Sequence, residues 1–103
     1  MPWIPAGPAS ADPDAARPRR VATPAGPVLL VPLAGRWHAL ADRCSHAGCA
    51  FSTDGQLEDD RIVCDCHGSE FDVRTGTVLV GPAERPIATF PVRVVGDDLE
   101  VEA

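Results

Sequence analysis

The sequence predicts an all-β fold in a single domain, and three observations carry that reading. Eleven prolines and nine glycines in 103 residues point to short strands and turns rather than helices. The apolar residues fall in brief, β-branched runs such as Val28-Leu29-Leu30-Val31 and Val92-Arg93-Val94-Val95, bounded by turn-forming residues. A chain of this length buries only roughly 60–70% of its unfolded surface, which allows one core that a crosslink or a bound metal would strengthen. No internal repeat and no second domain is visible.

Taken in order, Trp3-Ile4 reads as a short edge strand, and Pro5 to Pro18, without a period of 2 or 3.6, as an irregular surface segment. Val28 to Val31 is continuously apolar, as a buried strand is, and Ala34-Gly35 turns it into Arg36-Trp37-His38-Ala39-Leu40. Thr53-Asp54-Gly55 is a turn signal. Gln56-Leu57 and Arg61-Ile62-Val63 then flank a tight acidic turn at Glu58-Asp59-Asp60. Phe71-Asp72-Val73, a turn at Arg74-Thr75-Gly76, and Thr77 to Val80 follow. Thr89 to Val95 and Leu99 to Glu102, joined through Gly96-Asp97-Asp98, form a closing hairpin with one face buried.

The formal charge is −6, lysine is absent, and the nine arginines are scattered apart from Arg17, Arg19 and Arg20. Nucleic acid therefore finds no basic stripe, whereas an acidic carrier docking on basic partners fits the balance. No run approaches the roughly 20 apolar residues that cross a bilayer, so the expectation is a soluble, cytoplasmic protein that does not enter a membrane. Arg19-Arg20 before the uncharged stretch Val21 to Gly35 imitates a twin-arginine export signal, but Pro24, Pro27 and Pro32 interrupt it.

The chemistry is concentrated in Cys44-Ser45-His46-Ala47-Gly48-Cys49 and Cys64-Asp65-Cys66-His67-Gly68-Ser69-Glu70-Phe71, which hold all four cysteines and two of the three histidines. Each stretch offers a thiolate and an imidazole close together, and the 17 residues between His46 and Cys64 suffice to bring the two loops face to face. That is a Cys2His2 metal site. Zinc uses such sets in structural sites but would leave Cys49 and Cys66 unexplained, and a purely disulfide-stapled module would not need the histidines. A c-type haem requires C-x-x-C-H, and Cys64-Asp65-Cys66-His67 is one residue short. His38 lies outside both motifs and reads as a structural histidine beside Trp37, itself core or a lid on it.

The pattern C-x-H, 17 residues, C-x-x-H, with the extra cysteines at 49 and 66 and with Gly48, Gly68 and Ser69, resembles the Rieske 2Fe-2S family from about Pro27 onward. The resemblance implies an antiparallel β-sandwich with a cluster-binding subdomain of two facing loops, the base spanning roughly 1–41 and 77–103 and the cluster part roughly 42–76. It implies one 2Fe-2S cluster, with Cys44 and Cys64 on one iron and His46 and His67 on the other. Cys49 and Cys66 match the pair that forms a disulfide in quinol-oxidising members; the other reading is two free thiols in a reducing cytosol.

Ser69 stands where high-potential members donate a hydrogen bond to a bridging sulfide, Phe71 where those members have a tyrosine, and Gly81-Pro82 resembles the loop that covers the cluster, though by itself it is a turn. One donor kept and one missing implies a potential between the oxygenase-ferredoxin and quinol-oxidising classes. The function so implied is a soluble ferredoxin, not an enzyme, passing single electrons from a flavoprotein reductase to an oxygenase or another acceptor, and acting as a monomer. A mononuclear oxygenase iron site would need two histidines and a carboxylate, and only His38 is to spare. The alternatives are the cluster-bearing head or small subunit of a larger redox enzyme and, in another class, a zinc-stabilised interaction module.

Overall fold

The computed structural model describes residues 2–9, 18–33, 35–45 and 48–103. Among these residues eleven strands form three antiparallel sheets stacked as layers. The first sheet has the order β1-β11-β10, where β1 is Trp3–Pro8, β10 is Val92–Val95 and β11 is Asp98–Glu102. The second has the order β2-β3-β4-β9, from Arg19–Thr23, Gly26–Leu33, Arg36–Ala41 and Thr89–Phe90. The third has the order β5-β6-β7-β8, from Gly55–Glu58, Arg61–Cys64, Glu70–Asp72 and Val78–Val80.

The second sheet lies in the middle, which is the physical reason that β3 is apolar without alternation. Successive side chains of a strand point to opposite faces. Val28 and Leu30 therefore enter one core, with Ala6, Ala39, Leu99 and Val101. Leu29 and Val31 enter the other, with Leu40, Ile62, Phe71 and Val73. Cys44 and Cys64 belong to this second core, so the candidate site stands on the packed seam between the middle and third sheets.

Three local expectations need correction, and one stretch gains a strand. The edge strand runs on through Pro5 to Pro8, pairing with β11 with a register shift between those prolines. An edge position makes this tolerable, because a proline there costs no ladder bond on its free side. The twin-arginine stretch contains β2, paired with β3 through a turn at Thr23 to Gly26. The continuous strand expected over Thr89 to Val95 breaks at Pro91, so that β9 pairs with β4 and β10 with β11, in different sheets. The Thr53-Asp54 turn is the end of a one-turn helix, α1, Phe51–Asp54. Residues 10–17 of the segment expected to be irregular, and Ala34 of the first hairpin, lie outside the described residues.

Candidate metal centre

The described ends of the two motif stretches close with the same backbone hydrogen bonds. In the first loop the Cys44 N–H donates to the Cys49 carbonyl at 2.7 Å and the Gly48 N–H to the Cys44 carbonyl at 2.9 Å. In the second the Cys64 N–H donates to the Ser69 carbonyl and the Gly68 N–H to the Cys64 carbonyl, both at 2.8 Å. The bond pattern repeats with an offset of 20 residues, placing Cys44 and Cys64 at equivalent corners. Gly48 and Gly68 close the two turns at φ +73° and +80°, a region that disfavours a side chain. The loops are tied together at a second position by a disulfide between Cys49 and Cys66, with sulfurs 2.15 Å apart.

Cys44 and Cys64 are free and both about 1% exposed. Burial pushes the Cys64 thiol up; the Cys44 thiol, within hydrogen-bonding reach, adds to the rise, while the backbone N–H groups of Cys66 and His67 pull against it. Two buried sulfurs in contact cannot both become thiolates without a cation between them. Amides aimed at the sulfur show that the loop is built to hold the anion once a cation is present. On this observation the donor chemistry fits an iron–sulfur group.

Among the described residues, the donor atoms that gather within 4.8 Å of one another are the sulfurs of Cys49, Cys64 and Cys66. Two of these are spent in the disulfide, so the group is not a three-thiolate site; it shows how near the bridge lies to Cys64. His67 is exposed on the second loop. His46 lies outside the described residues.

A third segment, 81–88, is fastened to both loops by serine hydroxyls. Ser45 Oγ donates to the Arg85 carbonyl at 2.6 Å, and the Ala83 N–H donates to Ser69 Oγ at 3.1 Å. Ser69 is fully buried and this bond uses its oxygen as acceptor, leaving the hydroxyl proton to be donated elsewhere. Pro82 is exposed and shares a shallow hollow with Ser45, Glu84 and Arg85. Phe71 is fully buried, in an edge-to-face contact with Phe51 at 5.6 Å between ring centroids.

Sequence reasoning passed over Asp42. Its carboxylate is 0% exposed and accepts from the Ser52 N–H at 2.8 Å and the Ser52 hydroxyl at 2.5 Å, with Arg20 Nη1 at 3.3 Å. Residues 42 and 52 bracket the first loop, so this contact closes its base. Nothing in the sequence separates Asp42 from an ordinary solvated carboxylate at a strand end.

Two free, buried cysteines on crosslinked loops, at the seam of the middle and third sheets, make an all-β domain whose donor chemistry is that of an iron–sulfur protein. The chain belongs to the Rieske [2Fe-2S] domain family, whose sequence profile matches residues 3–91. It therefore carries one 2Fe-2S cluster of the Rieske type.

The chain is 43% identical over 76 residues to the ferredoxin component of biphenyl 2,3-dioxygenase from Rhodococcus jostii (strain RHA1), covering 74% of this chain and 70% of that one. It is 40% identical over 76 residues to the 3-phenylpropionate/cinnamic acid dioxygenase ferredoxin subunit of Escherichia coli (strain K12), covering 73% and 71%. Among solved structures it is similar to a chain in the complex of reduced oxygenase and oxidized ferredoxin of carbazole 1,9a-dioxygenase, with a TM-score of 0.85, 29% identity, and coverage of 96% and 91%. It is also similar to the plasma membrane Rieske protein of Synechocystis PCC 6803, with a TM-score of 0.78, 35% identity, and coverage of 97% and 99%. Among the described residues no helix is long and apolar enough to cross a membrane.

Proposed function

We propose that this protein is the ferredoxin of a dioxygenase system, taking one electron at a time from a flavoprotein reductase and passing it to a terminal oxygenase in the cytoplasm, as a monomer. The observation that supports it most is the pair of free, buried cysteines at equivalent corners of two crosslinked loops. The similarity to ferredoxin components of two dioxygenases supplies the direction of the reading.

In this reading Cys44 and Cys64 hold one iron, and His46 and His67 hold the other. When bound, the cluster supplies a one-electron redox couple, raised above the all-cysteine type because two thiolates are replaced by neutral imidazoles. The chain's own residues keep water from the sulfur side, where Phe71, Cys44 and Cys64 are buried together, and leave the His67 corner open to a partner. Ser69 would offer its remaining proton to a sulfur of the cluster, and Pro82 would cover it from the third segment. Residues 42–76 then act as the cluster-binding part of a single domain, on a base made of 1–41 and 77–103.

The test is anaerobic purification followed by metal and sulfide analysis and reductive titration. The expected result is two irons and two acid-labile sulfides per chain and the uptake of one electron. A colourless protein with a single zinc would replace this reading with that of a zinc-stabilised module. This chain also matches about 29% of the length of the terminal oxygenase of carbazole 1,9a-dioxygenase from Novosphingobium sp. KA1, with a TM-score of 0.79 and 26% identity. A large subunit that stays bound through purification would therefore assign the chain to a larger enzyme.

A further inference from the structure

We infer that the face beside the first loop is a cationic port on an otherwise acidic protein, selecting a partner that presents carboxylates there. This rests on the ferredoxin reading and deepens it by naming the chemistry of the partner's surface.

The port is a groove of about 540 Å³ lined by Cys44, Ser45 and Gly48 of the first loop and by Arg43, Arg85 and Pro86. Four arginines of the described residues are neutralised within the chain: Arg20 by Asp42, Arg61 by Glu70, Arg74 by Asp60 and Arg93 by Glu100. Arg19 is occupied by the Ala6 carbonyl and the Trp37 ring. Arg43 and Arg85 have neither an ion pair nor a side-chain hydrogen bond among the described residues, and both line this groove. Glu84 lines the adjoining hollow together with Arg85 but forms no ion pair with either arginine.

Both arginines are displayed from fixed backbone. Arg43 immediately precedes Cys44, whose N–H closes the first loop, and Arg85 carries the carbonyl that Ser45 grips at 2.6 Å. The Arg43 guanidinium also lies against Gly48, where an added Cβ would stand 3.2 Å from its Nε and Nη2. Two forked cations held over a partly apolar floor suit carboxylates on a partner protein, since arginine delivers bidentate hydrogen bonds at small cost in ordering. The net charge of −6 by itself would select the opposite polarity, so the port supplies orientation as well as attraction.

Small oxidants of opposite charge test this without a protein partner. The reduced, cluster-loaded protein is mixed with tris(oxalato)cobaltate(III), an anion, or hexaamminecobalt(III), a cation. One electron leaves each protein molecule and one Co(III) becomes Co(II). At low salt the wild-type rate with the anion should fall as salt is added, against the sense of the net charge. Arg43→Gln with Arg85→Gln should slow the anion by about tenfold and speed the cation, as expected of two cations removed about one screening length from a trivalent ion. Arg43→Lys with Arg85→Lys should restore most of the rate.

Arg36→Gln is the control, because it changes net charge by one unit at the other end of β4, five strand residues or about 17 Å from Ala41. An anion rate that rises with salt in the wild type, or that the double variant leaves unchanged, overturns the proposal. A dimer that Arg85→Glu dissociates would place a second copy on the groove and overturn it as well. A protein with no reducible centre removes the ferredoxin reading itself, a failure distinct from either of these.

Discussion

Ser69 does two things with one oxygen. It accepts the Ala83 N–H in a site with no exposure, and in the proposed reading its proton goes to the cluster. Ser69→Ala should therefore lower the reduction potential and also strand a buried amide, at about 1–3 kcal/mol. Potentiometry and denaturant unfolding on the same sample check both, and an unchanged potential would confine Ser69 to the structural role. Phe71→Tyr should raise the potential, because the ring is packed in the same core as both free cysteines and lacks only the hydroxyl.

His38 behaves differently. Burial, then the Arg74 and Arg36 guanidiniums, hold its imidazole below the ordinary value near 6.5, with the Asp72 carboxylate on β7 opposing. As pH falls, the unfolded chain takes up this proton before the folded one does. The associated stability is thus complete above about pH 6.5 and is lost as pH drops from there through the lower folded value. Unfolding midpoints between pH 7 and 5 should fall less in His38→Gln than in the wild type; parallel declines would contradict it. His38 was legible as structural, being the one histidine outside the motifs. Asp42 was not, because its burial follows from Ser52 ten residues away.

At the scale of elements, Gly48 and Gly68 were visible in the sequence only as matches to the family pattern; that each closes a turn four residues after its cysteine follows from the backbone bonds and positive φ. The split at Pro91 was visible only in part. A proline in a β-branched run signals an interruption, but not that the two halves join different sheets; that depends on where β4 and β11 lie. Strand β1 was cut short in the reading because two prolines look like an ending, and only its edge position excuses them. The helix α1 is short enough to have no periodicity.

Two predictions belong to this scale. Replacing Cys49 and Cys66 together by serine opens a link across 17 residues and should cost about 3 kcal/mol in the chain-entropy account. Denaturant curves measure it, and an unchanged midpoint would show that the hydrogen-bonded loops need no crosslink. Asp42→Ala removes the brace between β4 and α1 and should cost about 1.5–3 kcal/mol, given a charged acceptor with two bonds from Ser52. Iron content per chain should fall with it, because the brace closes the base of the loop that carries Cys44; full loading would separate the brace from the site.

At the scale of the molecule, the middle sheet organises everything else. It feeds one face to each core, and the core shared with the third sheet ends in the two free cysteines. The all-β class and the pairing of the two motif stretches were open in the sequence; the three-layer stacking was not, since it depends on which sheet each short strand joins. In the proposed reading, what makes the assembly a redox protein is a donor set of mixed type, two sulfurs and two imidazole nitrogens. Pulsed electron paramagnetic resonance of the reduced protein, grown with ¹⁵N-histidine, reads that set directly. Coupling to two histidine nitrogens is the expected result, and a reduced centre with no nitrogen coupling would contradict the account.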